Sequence, residues 1–142
     1  MPACLGLDYG LRRIGAAAND AGSSLALALG THVEGRDGSV FTWLADLVAA
    51  RGIERIVVGL PLTADGREAE LAVRAREFAA KLGARLGLEV VLWDERYSSQ
   101  EADRWVAGAR RPEPGARDAV AAAIILQSYL DHLAAAGEER SC

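Results

Sequence analysis

Cys4-Leu5-Gly6-Leu7-Asp8-Tyr9-Gly10-Leu11-Arg12-Arg13-Ile14-Gly15-Ala16-Ala17-Ala18 is the stretch whose reading decides the fold. An apolar run over residues 3–9 ends in Asp8-Tyr9-Gly10, and a second run covers residues 13–19. Asn19-Asp20-Ala21-Gly22 then supplies turn chemistry, because Asn, Asp and Gly tolerate the backbone angles of a tight reversal. A third run covers residues 24–33. Three short runs joined by tight turns predict an antiparallel meander.

Beyond the meander the period changes. Val40, Trp43, Leu44, Leu47 and Val48 recur at helical spacing over 39–51, and Gly52 stands where a helix would stop. Ile56-Val57-Val58-Gly59-Leu60 reads as a buried strand that Pro61 ends. Leu71, Arg74, Ala75, Phe78 and Leu82 predict a helix over 67–83, closed by Gly83, and Leu88 to Trp93 reads as another strand. Ser98 or Ser99 is placed to cap a helix running to about Ala107, with Glu101 completing a capping box. Residues 108–115 read as a Gly/Pro loop and 116–135 as a long alanine-rich helix. A meander followed by β-α-β units predicts an α/β fold: a mixed five-stranded sheet flanked by helices, in a single domain over 1–142.

Composition narrows the function classes. The 142 residues are about half apolar and one quarter charged, as in ordinary globular proteins. No apolar run is read as long enough to span a bilayer and no signal peptide is recognised, so the expected location is the cytoplasm, with no membrane partner. Cys4 and Cys142 lack disulfide or metal-ligand spacing, and both are expected to be reduced. The net charge of −4 argues against a uniformly basic nucleic-acid coat but leaves room for a local basic site. Lys81 is the sole lysine among 16 basic residues, so the rest are arginines, which suit bidentate phosphate contacts. The same bias is equally expected of a GC-rich coding sequence.

Three acids stand out by position. Asp8 ends the first strand, Glu95 follows the last, and Asp118 falls in the first turn of the final helix. In such sheets ligands gather beyond the carboxyl ends of the parallel strands. Each acid has a plain alternative: Asp8 as a turn former before Gly10, Glu95 as a surface partner of Arg96, and Asp118 as a helix N-cap or first-turn acid. Taken together they predict a shared site, and clustered carboxylates repel unless a cation joins them. Oxygen ligands select Mg²⁺ or Mn²⁺. Two such ions about 3.5–4 Å apart can activate water and stabilise the leaving oxygen in phosphodiester hydrolysis. The sequence contains no Cys/His cluster for zinc, no convincing Ser-His-Asp set and no Walker A loop.

Around these acids lie candidate phosphate contacts. Gly10 allows a sharp turn and close approach to a ligand, and Arg12 and Arg13 follow it. Arg67 lies in a loop that opens a helix, Arg96 adjoins Glu95, and Arg110, Arg111 and Arg117 approach Asp118. Arg51, Arg55, Arg76, Arg85 and Arg140 read instead as surface charges.

Four segments together resemble one family. They are Gly6 to Ala17, Ile56 to Leu62 with Asp65-Gly66, Asp94-Glu95-Arg96-Tyr97-Ser98-Ser99, and Arg117 to Gln127. The chain is thereby similar to the YqgF family, also called RuvX, a family assigned to Holliday junction resolution and to pre-16S ribosomal RNA processing. The resemblance implies a RuvC-like ribonuclease H fold and places the family's acids on Asp8, Glu95 and Asp118. It departs at Ser98-Ser99, where Thr is usual. It departs again at Ala121 and Ala122, where junction resolvases carry a further acid near the last one. The expected activity is a metal-dependent endonuclease acting at the 5′ end of precursor 16S RNA, a structured RNA that could lie within a ribosomal precursor. The rival readings are a resolvase of branched DNA, a non-catalytic nucleic-acid-binding factor and, last, a kinase-like phosphate site. No segment is dedicated to pairing, so a monomer or weak homodimer is expected.

Overall fold

The computed structural model describes residues 1–33, 38–62, 69–97 and 116–137. The strands are β1 (Cys4–Tyr9), β2 (Arg13–Ala18), β3 (Leu27–Val33), β4 (Arg55–Leu60) and β5 (Glu89–Asp94). The helices are α1 (Ser39–Arg51), α2 (Glu70–Leu86) and α3 (Ala116–Gly137), and a single 3-10 turn covers Glu95–Tyr97. The predicted helix after Ser98 and the 108–115 loop lie outside the described residues.

The five strands form one mixed sheet in the order β3-β2-β1-β4-β5. β1 is central. It pairs antiparallel with β2, Asp8 opposite Gly15, and parallel with β4, Leu7 opposite Val58. β5 runs parallel to β4 on the far side. The meander is as expected, with a register shift between Ala16 and Ala17 where β2 meets β3. β3 starts at Leu27, later than its apolar run begins.

Alternation along the strands builds two apolar layers. On one face Leu5, Leu7, Ile14, Ile56 and Val58 meet Val40 and Leu44 of α1 and Phe78 and Leu82 of α2. On the other, Cys4, Ala17 and Val57 meet Ala122, Leu126 and Leu130 of α3. Ile56, Val57 and Val58 are fully buried because β4 is covered on both sides. Each such side chain contributes roughly 1.5–3 kcal/mol by leaving water.

Two expectations are corrected here. Gly83 does not end α2. Gly87 does, in the left-handed region (φ 65°), with its N–H donating to the Gly83 carbonyl. Gly83 instead lies where the helix presses on β5, since a Cβ there would stand 3.2 Å from Val90 Cγ2. Likewise, an apolar stretch of membrane-spanning length does exist. Asp118–Ala136 is long and apolar enough by length and composition alone. In this fold its apolar side is the layer against the sheet, and the alanine richness that lets it lie close also raises its apolarity.

Polar clamps hold α3 and the meander together. Asn19 is buried, its side-chain oxygen accepting the Cys4 N–H (2.9 Å) and its amide donating to the Pro2 and Ser23 carbonyls. Gln127 accepts the Ala26 N–H and donates to the Ser24 carbonyl, tying α3 to the start of β3. Arg55, expected at the surface, is half-buried and donates to the Tyr129 hydroxyl and to Glu89.

Candidate active site at the carboxyl ends of the parallel strands

β1, β4 and β5 run in one direction, so their carboxyl ends share one edge of the sheet. Asp8 is the last residue but one of β1, and Glu95 follows β5 directly. β4 lies between them and ends at that edge. By strand alternation Asp8 points to the α3 face, with Gly6 and Cys4, while Tyr9 points to the other. Asp118 enters from α3, which lies over that same face.

Glycines decide how near these groups come. Asp8 sits opposite Gly15, and a Cβ on Gly15 would overlap the backbone carbonyl of Asp118. The first turn of α3 therefore rests on bare β2 backbone, one strand from Asp8. At Gly59 a Cβ would stand 2.6 Å from Ile125 Cδ1 and 3.0 Å from Glu95 Oε1. Gly59 thus leaves the space over β4 into which the Glu95 carboxyl reaches. A side chain on Gly6 would press on Leu126 in the same way. Glycine inside a strand is a known mark of close approach, yet the sequence reading did not assign these three.

Asp8 and Glu95 are bonded to each other through their side chains. Two ionised carboxylates cannot share a hydrogen bond, so one carries the proton, and protonated Glu95 donates to the Asp8 carboxylate. Burial raises the Asp8 pKa to about 6, and the charge of Asp118 adds to it, while the bond from Glu95 works against it. Burial, the Asp8 charge and the bond to Asp8 push Glu95 up to about 7. Asp118 acts on Asp8 at a distance. Among the described residues no three acid, thiol or imidazole groups close into a ready-made metal cage. The donor set is oxygen only and too negative to ionise fully by itself. It suits a hard cation that keeps several waters, and it does not suit zinc.

The arginines fall into three groups. Arg12 in the β1–β2 turn and Arg13 at the start of β2 are exposed, and Gly10 closes the turn by donating its N–H to the Arg13 carbonyl (3.0 Å). Arg13 shares the strand face of Gly15. Arg96 does not pair with Glu95. Its guanidinium grips Asp94 through contacts of 2.6 to 3.1 Å and holds that carboxyl below its usual range. The backbone of Arg117 lies in the first turn of α3, while Arg67, Arg110 and Arg111 lie outside the described residues.

A five-stranded sheet of this order, with its last helix laid over an acid-bearing edge, defines a ribonuclease H-like chain of the RuvC type. The solved structure of Thermus thermophilus RuvC in complex with a Holliday junction substrate superposes with a TM-score of 0.60 at 16% identity, covering 96% of this chain and 97% of that one. A second structure of Thermus thermophilus RuvC agrees equally (TM-score 0.60, 17% identity). These likenesses concern the fold. A family model, RuvX, described as Holliday junction resolvase, matches residues 2–132, and the chain belongs to that family. Relatives named "Putative pre-16S rRNA nuclease" include one from Syntrophus aciditrophicus, 39% identical over 130 residues (89% of this chain, 87% of the relative). Another, from Burkholderia ambifaria, is 42% identical over 134 residues (91% and 89%).

Proposed function

We propose that this protein is a metal-dependent endoribonuclease that processes the 5′ end of precursor 16S ribosomal RNA in the cytoplasm. The single observation that carries the reading is the Asp8–Glu95 pair, two half-buried acids sharing a proton where parallel strands end, with the charge of Asp118 bearing on Asp8. Family membership and the naming of the relatives support a nuclease acting on that RNA.

Asp8 and Asp118 would hold Mg²⁺ or Mn²⁺, and Glu95 would either complete the set or orient the attacking water. A divalent ion bound there supplies Lewis-acid polarisation of the phosphate and eases ionisation of water. Glu95, with its raised pKa, is suited to hold a proton near neutral pH and to give it up when substrate and cation arrive. Gly10, Arg12 and Arg13 would meet the backbone phosphates from the β1–β2 turn, joined by Arg67, Arg110, Arg111 and Arg117. Arg96 would act mainly on Asp94.

The test offers precursor 16S RNA and four-way DNA side by side, with Mg²⁺, to the wild-type chain and to Asp8→Asn. Cleavage of the RNA that disappears in Asp8→Asn is the expected result, and cleavage at the wild-type rate in that variant ends the assignment. The family description favours a second reading, a junction resolvase. Paired cuts in the four-way DNA with the RNA left whole would establish that instead.

A further inference from the structure

On the sheet face away from Asp118, the structure forms a cleft of about 240 Å³ lined by Tyr9, Phe41, Phe78, Arg74, Glu77 and Lys81, with Val40 at its side. Both phenylalanines of the chain are in it. The half-buried Tyr9 and Phe41 rings each pack on the buried Phe78 ring, with Tyr9 and Phe78 centroids 4.9 Å apart and Phe41 and Phe78 5.6 Å apart. Arg85 lies over the Phe41 ring, 4.2 Å from its centroid. Arg74 and Lys81 face the single acid Glu77 in the lining, although the whole chain carries −4. Arg74 also pairs with Glu70 at 3.4 Å, a weak exposed contact that a phosphate can displace.

We infer that this cleft is a second nucleic-acid subsite, taking a nucleotide of a single-stranded segment with its base against the Tyr9 and Phe41 rings and its phosphate on Arg74 and Lys81. The inference rests on the nuclease reading above and extends it. Rings beside cations are how sequence-tolerant single-strand sites are built, because every base has a π face and every nucleotide a phosphate. The occupant is single-stranded for a geometric reason. Asp8 and Tyr9 are neighbours whose side chains point to opposite faces. A strand must therefore bend round the end of β1 to reach both places, which an unpaired strand does readily and a duplex does not.

The test uses the full chain and a single-stranded RNA of about ten nucleotides substituted with 5-bromouridine, without added divalent ion so that the strand stays whole. Irradiation should cross-link the RNA to a peptide containing Tyr9 or Phe41. The double variant Arg74→Glu/Lys81→Glu, both sites exposed on α2, should bind about tenfold more weakly or worse. Its slope of log affinity against log salt should flatten by about 1.4, two contacts at about 0.7 each. Phe41→Leu, which keeps most of the apolar bulk, should lose the cross-link at that position while melting near the wild type. Unchanged affinity in the double variant, or cross-links confined to other peptides, overturns the inference. If only the nuclease reading fails, Mg²⁺ leaves the RNA whole while the cross-link and the affinity loss remain. If only the cleft fails, the RNA is cut and the double variant binds like the wild type.

Discussion

The Glu95 carboxyl donates a hydrogen bond to Asp8 across the end of β4, joining the two outer parallel strands through one proton. The pair titrates as a unit, with values raised to about 6 and about 7. Both lie above the ordinary carboxylate range, so the folded state binds protons more tightly than the unfolded chain. The stability they contribute is full below about pH 4 and is lost as pH rises through 6 and 7. Metal-free protein should therefore melt at a lower temperature at pH 8 than at pH 5.5 from this source. The slope should shrink in Asp8→Asn and in Glu95→Gln. Added Mg²⁺ should restore stability at pH 8 in the wild type and not in Asp8→Asn. Scanning calorimetry at the two pH values, with and without Mg²⁺, checks all of these together.

Gly15→Ala tests the contact that sets the position of Asp118. The obstacle to the new methyl group is backbone and cannot rotate away, so α3 must lift from β2. Overpacking of this kind costs about 1–3 kcal/mol. The loss of cleavage should exceed what that destabilisation explains, because the acid moves with the helix. Urea denaturation beside cleavage rates at 25 °C separates the two. A variant that cuts at the wild-type rate would show that the height of α3 over the sheet is immaterial.

Asn19→Ala should destabilise without touching the chemistry. It leaves the Cys4 N–H and the Pro2 and Ser23 carbonyls short of a partner in a buried position. The expected cost is about 2–3 kcal/mol. In urea the midpoint should fall with the slope unchanged, and cleavage by the remaining folded protein should match the wild type.

Arg13→Ala and Arg96→Ala should differ in kind. Arg13 is exposed beside the acid-bearing edge, and its loss should flatten the salt dependence of single-stranded RNA binding by about 0.7. Arg96 is committed to Asp94, and its removal should leave that slope in place. Asp94 would then stand unneutralised beside Glu95, whose pKa its charge already raises. The acid limb of the pH–rate profile should move to higher pH in Arg96→Ala.

The five strands and the mixed character of the sheet were legible because apolar runs and β-branching report burial directly, as at Ile56-Val57-Val58, whereas the order β3-β2-β1-β4-β5 came only with the structure. Both ends of α1 and the start of α3 were equally plain, while α3 runs on to Gly137, past the expected end at 135. Gly83 misled because a glycine in a helix can mark either a terminus or a tight contact, and only the position of Val90 distinguishes them. The three acids could be nominated from their places at element ends. Their spacing could not, because it depends on Gly15 and Gly59, whose meaning appears only once α3 is laid across them. Arg96 reads from sequence as a candidate phosphate contact, with a pair to Glu95 as the plain alternative, and the turn after β5 directs its guanidinium back to Asp94.

The position of β1 between an antiparallel and a parallel neighbour has a bearing on when the molecule becomes competent. The hairpins β1–β2–β3 pair over short sequence distances. The parallel partners arrive some fifty and more residues later, and such distant pairings form slowly. A chain emerging from the ribosome presents Asp8 early and Asp118 only after β5 has been made. Any chemistry that requires both acids is withheld until α3 has been made and docked on the sheet.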